Sequence, residues 1–254
     1  MTSPQNSKSE SQILAEIIIA RITRIHASIS KIDSLRTSRL VNDLFTHLVK
    51  LCTLPLSICT LPLSIDVKAL PKEVQSMGES LIVLSSQFSK QSPERSWRGT
   101  THEGCLRGFG SNASYFYYFG YTSHEATHFD NFDIDEAAND VARRIVATDA
   151  ELEKRMKFLT CDIMEVKEKL GEYDCILLAA LAGMTKEEKV KILGHIKKHM
   201  KNGGVLLARS AKGARAFLYP VVEEDDLLDF EVLSIFHPIN DVINSVVLVR
   251  KAIC

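Results

Sequence analysis

Residues 175–209 read CILLAALAGMTKEEKVKILGHIKKHMKNGGVLLAR, and their pattern decides the fold. An apolar run of strand length (175–180) gives way to a short turn and then to a helical period. Thr185 stands at the N-cap position with acids in the turn that follows, so a helix is expected over 185–200. Asn202-Gly203-Gly204 stops it, and VLLAR (205–209) is a second apolar strand. Strand, helix and strand in this succession predict a parallel βαβ unit.

The same alternation continues outward on both sides. NFDID (131–135) closes a strand-like run, 136–148 has helical period, and MKFLTCD (156–162) is a strand ending on an acid. Downstream, a helix is expected around 211–218. VLSIF (232–236) and NSVVLVRK (244–251), joined only by HPINDVI, suggest a closing antiparallel hairpin. Residues from Phe129 onward therefore predict a mainly parallel, doubly wound α/β sheet.

The first part of the chain is different. Ile13, Ile17, Ile18, Ile22, Ile25, Ile29 and Ile32 recur at helical spacing around Glu16, Arg21 and Arg24, which reads as an amphipathic helix facing a core. Leu35, Leu40, Leu44, Phe45 and Leu48 suggest a second helix, and Pro71 opens a third through Val74, Met77, Leu81 and Leu84. Between them CTLPLSI occurs twice in tandem (52–58 and 59–65). Pro55 and Pro62 forbid a helix there, so the duplication reads as added linker. The expected organisation is a helical domain over 1–84, a divergent linker over 85–107 and a Rossmann-like domain over 108–254.

Composition excludes several function classes. A formal charge of −1 gives no global attraction to nucleic acid. No apolar stretch is long enough to span a bilayer, and no signal peptide is evident. The six cysteines form no CxxC pair and read as buried free thiols, Cys161 and Cys175 lying in strand-like runs. A soluble cytoplasmic protein acting on a small molecule is the expectation.

In doubly wound sheets ligands bind outside the carboxyl ends of the strands. Asp133 and Asp135 close one strand and Asp162 the next. A carboxylate at the first position can accept from both ribose hydroxyls, and one at the second from an adenine amino group. The plainer reading of each acid is a helix N-cap, and Asp135 before EAAND suits it. Gly108-Phe109-Gly110 lies about twenty residues before Asp133, the spacing of a glycine loop that admits a ligand to the backbone. A competing motif is His124-Glu125-Ala126-Thr127-His128, which on a helix would hold zinc with Glu125 as base. Here a strand follows at once. His195 and His199 also lie four apart, but among Lys186, Lys189, Lys191, Lys197 and Lys198 they read as a solvated face.

Four blocks are distinctive: FDNFDIDEAAND, CILLAALAGMTKEEKVKILGHIKKHM, GGVLLARSAKGARAFLYP and FHPINDVINSVVLVRK. With HLVKLCTLP and IDVKALPKEVQSM in the first part, they resemble plant nicotianamine synthases over roughly four-fifths of the chain. The resemblance implies a class I S-adenosylmethionine methyltransferase-like (Rossmann-type) sheet with an N-terminal helical domain. It implies that three S-adenosylmethionine molecules are condensed by aminocarboxypropyl transfer, releasing methylthioadenosine, with no metal required. The product, nicotianamine, chelates iron, zinc and copper. By the same resemblance Gly108 and Gly110 stand in for the glycine loop, Asp133 binds the ribose and Asp162 the adenine, with Asp135 also counted in the cofactor-binding site. Ala179 and Ala180 leave room for the nucleoside, and Arg209, Phe217 and Tyr219 stand at the pocket edge. The family's Cys-Gly-Glu-Ala-Glu-Gly segment, whose glutamate serves catalysis, is absent after ESLIVLSS. The catalytic residue is thus unassigned. The apolar strand that should precede the glycine loop is also missing, and its loss would leave neighbouring strand edges unpaired. A non-catalytic relative with residual nucleoside binding is the alternative.

Overall fold

A computed structural model describes residues 9–36, 38–54, 65–91, 127–179, 182–227, 229–238 and 242–253. Three helices form the first part: α1 (Glu10–Ile29), α2 (Arg39–Cys52) and α3 (Lys72–Gln91). Ser9 opens α1 with a capping box that includes Gln12, and Ser38 caps α2. Ile18, Ile22 and Ile29 of the isoleucine stripe are buried with Val41, Phe45 and Leu48 of α2 and Met77, Leu81 and Phe88 of α3. Phe45 and Phe88 stack with ring centroids 4.2 Å apart. Ile13 and Ile17, also expected in the core, are each 46% exposed. They fall off the face shared by 18, 22 and 29, because 3.6 residues per turn rotates them away. The third helix does not end at Leu84. It runs on through Gln91, burying Ser85 and Ser86, so the first seven residues of the expected linker are helical.

The second part alternates as expected: β1 (Phe129–Asp133), α4 (Glu136–Val146), α5 (Ala150–Arg155), β2 (Met156–Thr160), β3 (Cys175–Leu178), α6 (Lys186–His199), β4 (Val205–Ser210), β5 (Phe230–Phe236) and β6 (Ser245–Lys251). Helix α5, capped by Asp149, has no counterpart in the sequence reading. The helix expected around 211–218 is a single 3-10 turn, Gly213–Phe217. Thr185 caps α6 as anticipated, with Glu188 completing a capping box. The chain leaves α6 through Gly203 at φ +74°, a conformation costly for any residue with a Cβ.

One continuous doubly wound sheet is not what the described residues form. β1 and β2 pair in parallel as a two-stranded sheet, and the other strands make a four-stranded sheet in the order β3-β4-β6-β5. β3 and β4 are parallel, while the hairpin β5–β6 is antiparallel. Among the described residues β1 and β3 each pair on one side only. The sheets are joined by side chains. Tyr173, two residues before β3, donates its hydroxyl to Asp130 of β1 at 2.7 Å, and Lys169 pairs with the same carboxylate at 2.6 Å.

The four-stranded sheet has a substantial core, with Leu206, Ala208, Val247 and Val249 packed on Leu193 and Ile196 of α6. Behind it, Ser210 Oγ accepts the Val222 N–H at 2.8 Å and pins the intervening segment to β4. That segment turns its apolar side the other way. Phe217, Leu218 and Tyr219 are buried in the helical core beside α2 and α3. Glu223 completes the junction, paired with Lys186 of α6 and with Lys68, which precedes α3. No helix among the described residues is long and apolar enough to cross a membrane.

Candidate functional site

The parallel register places Asp133 opposite Thr160, and the Cys161 N–H donates to the Asp133 carbonyl at 3.1 Å. Asp162 therefore follows Cys161 at the same edge of the sheet as Asp133. Each also serves the local backbone. One Asp133 oxygen accepts the Asp135 N–H at 2.9 Å, and Asp162 accepts the Met164 N–H at 2.9 Å. Asp135 caps α4 through the N–H groups of Ala137 and Ala138, so the capping role weighed from sequence is the geometry observed for it.

A concavity of about 630 Å³ opens here, lined by Asp133, Ile134, Asp135, Glu136, Ala137 and Asp140. Four of its six lining residues are acidic. It offers acceptors to hydroxyl and amino groups, and a negative potential to a cation.

A polar network behind the acids was not legible in the sequence. Asn131 on β1 is 5% exposed and Asn139 on α4 only 1%. Asn131 donates to the Asn139 side-chain oxygen at 3.2 Å, and Asn139 donates to Thr160 Oγ1 at 3.0 Å. The chain β1–α4–β2 thereby fixes the edge that carries Asp133 and Asp162. The available signal was an asparagine on the buried face of an otherwise apolar helix pattern. On the other side, Asp130 is only partly buried. Burial opposes its charge, but hydrogen bonds from Lys169 and Tyr173 outweigh that and hold its carboxyl below the usual range.

Ala179 stands directly after β3, at the carboxyl edge of the second sheet, and its carbonyl accepts the Ala182 N–H at 3.3 Å. Ala180, Gly108 and Gly110 lie outside the described residues, as do His124 and Glu125 of the alternative zinc motif. Among the described residues no cluster of three or more His, Cys, Asp or Glu side chains could hold a metal ion. His195 is not simply solvated: its Nε2 lies 2.7 Å from the Val166 carbonyl, and the His199 ring is tilted against it with centroids 4.7 Å apart. Lys189, read as part of the solvated lysine face, is fully buried at 0% exposure. Nor are the thiols uniformly buried: Cys52 is, but Cys161 is partly exposed and lies after β2, and Cys175 is exposed. Arg209 is bonded to Asn244 beside the hairpin, whereas Phe217 and Tyr219 face the helical core.

Parallel strands presenting carboxylates at their carboxyl edge, mounted on a helical domain, define an α/β protein of the class I S-adenosylmethionine methyltransferase-like type. Comparison with known proteins narrows this. The family model described as "Nicotianamine synthase protein" matches residues 9–94 and 113–254. The chain is 36% identical to nicotianamine synthase of Solanum lycopersicum over 278 aligned positions, covering 92% of this chain and 83% of that one. It is 58% identical to nicotianamine synthase 3 of Arabidopsis thaliana over 125 residues, which spans only 39% of that relative's length. The chain belongs to the nicotianamine synthase family. In three dimensions it resembles a mutant of MtNAS, with a TM-score of 0.68 at 16% identity, covering 95% of this chain and 99% of that one. It also resembles MtNAS solved in complex with MTA and tNA, with a TM-score of 0.58 at 17% identity, covering 97% and 100%. At such identity these likenesses establish the fold.

Proposed function

We propose that the chain binds S-adenosylmethionine at the carboxyl edge of its parallel strands and belongs functionally with the aminocarboxypropyl transferases that make nicotianamine. The observation that carries this is the register-fixed pair Asp133 and Asp162, in a chain that matches the family on both sides of them. Ribose hydroxyls and the adenine amino group are donors, and carboxylates are acceptors only, so the pairing is chemically apt. The acidic concavity also favours a substrate that carries a sulfonium. In each condensation an amine nitrogen attacks the γ-carbon of the aminocarboxypropyl group. The C–N bond forms as the C–S bond breaks, methylthioadenosine leaves with the sulfur electron pair, and the amine loses a proton. The sulfonium is a good leaving group, so positioning supplies most of the acceleration. Gly108, Gly110, Asp135 and Ala180 complete the proposed nucleoside site. Cytoplasmic residence and a reaction without a metal cofactor belong to the same proposal.

A second reading, nucleoside binding without condensation, is favoured by one specific observation. The sequence carries no Cys-Gly-Glu-Ala-Glu-Gly segment after ESLIVLSS, where the family's catalytic glutamate is expected. Equilibrium dialysis with labelled S-adenosylmethionine tests the site. Asp133→Asn should weaken binding about tenfold or more, a loss of about 1.4 kcal/mol, and undiminished binding would remove Asp133 from the site. Methylthioadenosine release by the parent chain separates the two readings: release with nicotianamine formation supports the synthase, and binding without release supports the second.

A further inference from the structure

Helix α6 carries five lysines, and all but Lys189 are at least partly exposed. Lys189 lies in the helix's first turn, where its N–H donates to the Thr185 carbonyl at 3.0 Å. Its side chain reaches back to the end of β3, where Nζ donates to the Ala179 carbonyl at 3.2 Å. The Ala182 N–H meets the same oxygen at 3.3 Å. Gly183 then crosses the start of α6 at φ +72°, so close that an added Cβ would come within 2.8 Å of the Lys189 backbone nitrogen. Gly183 is thus seated on α6 by its backbone, and the end of β3 is tied to α6 by the lysine amine.

This is an expensive way to hold a strand end. Withdrawing an ammonium from water costs several kcal/mol before any partner offsets it. Burial, and then the nearby Arg209 guanidinium, lower the Lys189 pKa to about 7. A fold that needed only packing here would be served as well by methionine, which has similar length and no charge. The location supplies a reason: Ala179 ends β3 on the side where ligands enter such sheets.

We propose that Lys189 is a positioning residue for the nucleoside site, fixing the Ala179 carbonyl, and with it the Ala182 N–H that meets the same oxygen, where the end of β3 receives the adenosyl group. The inference rests on the S-adenosylmethionine reading above and adds a residue to it. Lys189 acts through Ala179.

The test compares the full-length parent, Lys189→Met and Lys189→Arg by thermal melting, equilibrium dialysis with S-adenosylmethionine, and hydrogen exchange at the amides of 182–184. Lys189→Met should melt at or above the parent temperature, bind about tenfold more weakly or worse, and exchange faster at those amides. Lys189→Arg, which keeps a charged donor, should recover binding to within about threefold of the parent. Parental binding by Lys189→Met overturns the proposal. So does a lowered melting temperature accompanying the lost binding, which would make Lys189 a structural residue, and so does an arginine variant no better than methionine. If the parent itself does not bind S-adenosylmethionine, the functional reading fails. Hydrogen exchange then judges the positioning role alone: faster exchange confined to those amides sustains it, and unchanged exchange ends it.

Discussion

The two sheets of this protein are stabilised in different ways. The β3-β4-β6-β5 sheet rests on a ten-residue apolar cluster with α6 across one face. Among the described residues the β1–β2 pair has small satellite clusters, Ala142 with Ile145 and Val146 with Leu152 and Met156. The other contacts described for it are polar: Asn131–Asn139–Thr160 on one side, and Lys169 and Tyr173 on Asp130 on the other. Hydrophobic burial is insensitive to direction, whereas hydrogen bonds fix it. The sheet that carries Asp133 and Asp162 is thus the less strongly cored and the more exactingly oriented of the two. Regions that bind ligands are often drawn from this lower-stability end.

The contrast can be broken by substitution. The largest effect is expected from Phe217→Ala, because Phe217 is 0% exposed in the apolar junction with the helices. Its truncation should cost about 3–5 kcal/mol of global stability in urea unfolding. A loss below about 1 kcal/mol would mean that the junction collapses around the cavity. Asn139→Ala comes next. It removes the acceptor of a buried amide and should cost about 1–3 kcal/mol, with exchange accelerated in β1 and β2 while β4 and β6 stay protected. Uniform acceleration would erase the distinction between the sheets. Tyr173→Phe should cost about 1 kcal/mol and move the β1–β2 pair alone.

The smallest effect is pH-dependent. Asp130 is depressed in the folded protein, so its stabilising contribution is present above the unfolded carboxylate pKa of about 3.9. It is lost as pH falls from there through the lower folded value. Urea titrations from neutrality downward should show this loss, and Asp130→Asn should flatten that part of the profile. Glu223, shifted in the same direction by Lys186 and Lys68 against its burial, should remain as the residual slope.

Much of the architecture was legible because local rules agreed with the global fold. The Thr185 capping box, the stop at Gly203 and the closing hairpin are all where turn and cap chemistry put them. The acids at the ends of β1 and β2 were legible for the same reason, since strand ends can be counted. What was hidden depends on which face a side chain meets. Lys189 is one lysine among five, and although it shares the apolar stripe of Leu193, Ile196 and Met200, its charge reads as solvated. Asn139 looks polar and therefore solvent-facing until β2 is packed against it. The continuation of α3 through Gln91 was missed because SSQF carries little helix propensity, and burial against the helical core overrides that.

The insertion of Phe217, Leu218 and Tyr219 into the helical core has a consequence for dissecting the gene. The core of the first part is completed by residues encoded more than a hundred codons downstream, and α3 leaves Gly78 bare where the Phe217 ring lies 3.2 Å from the Cβ it lacks. Separately expressed halves would each carry an open apolar wound, one a socket and the other a plug. The polypeptide has a boundary in its sequence but not in its cooperativity, and the two halves are expected to melt in a single transition.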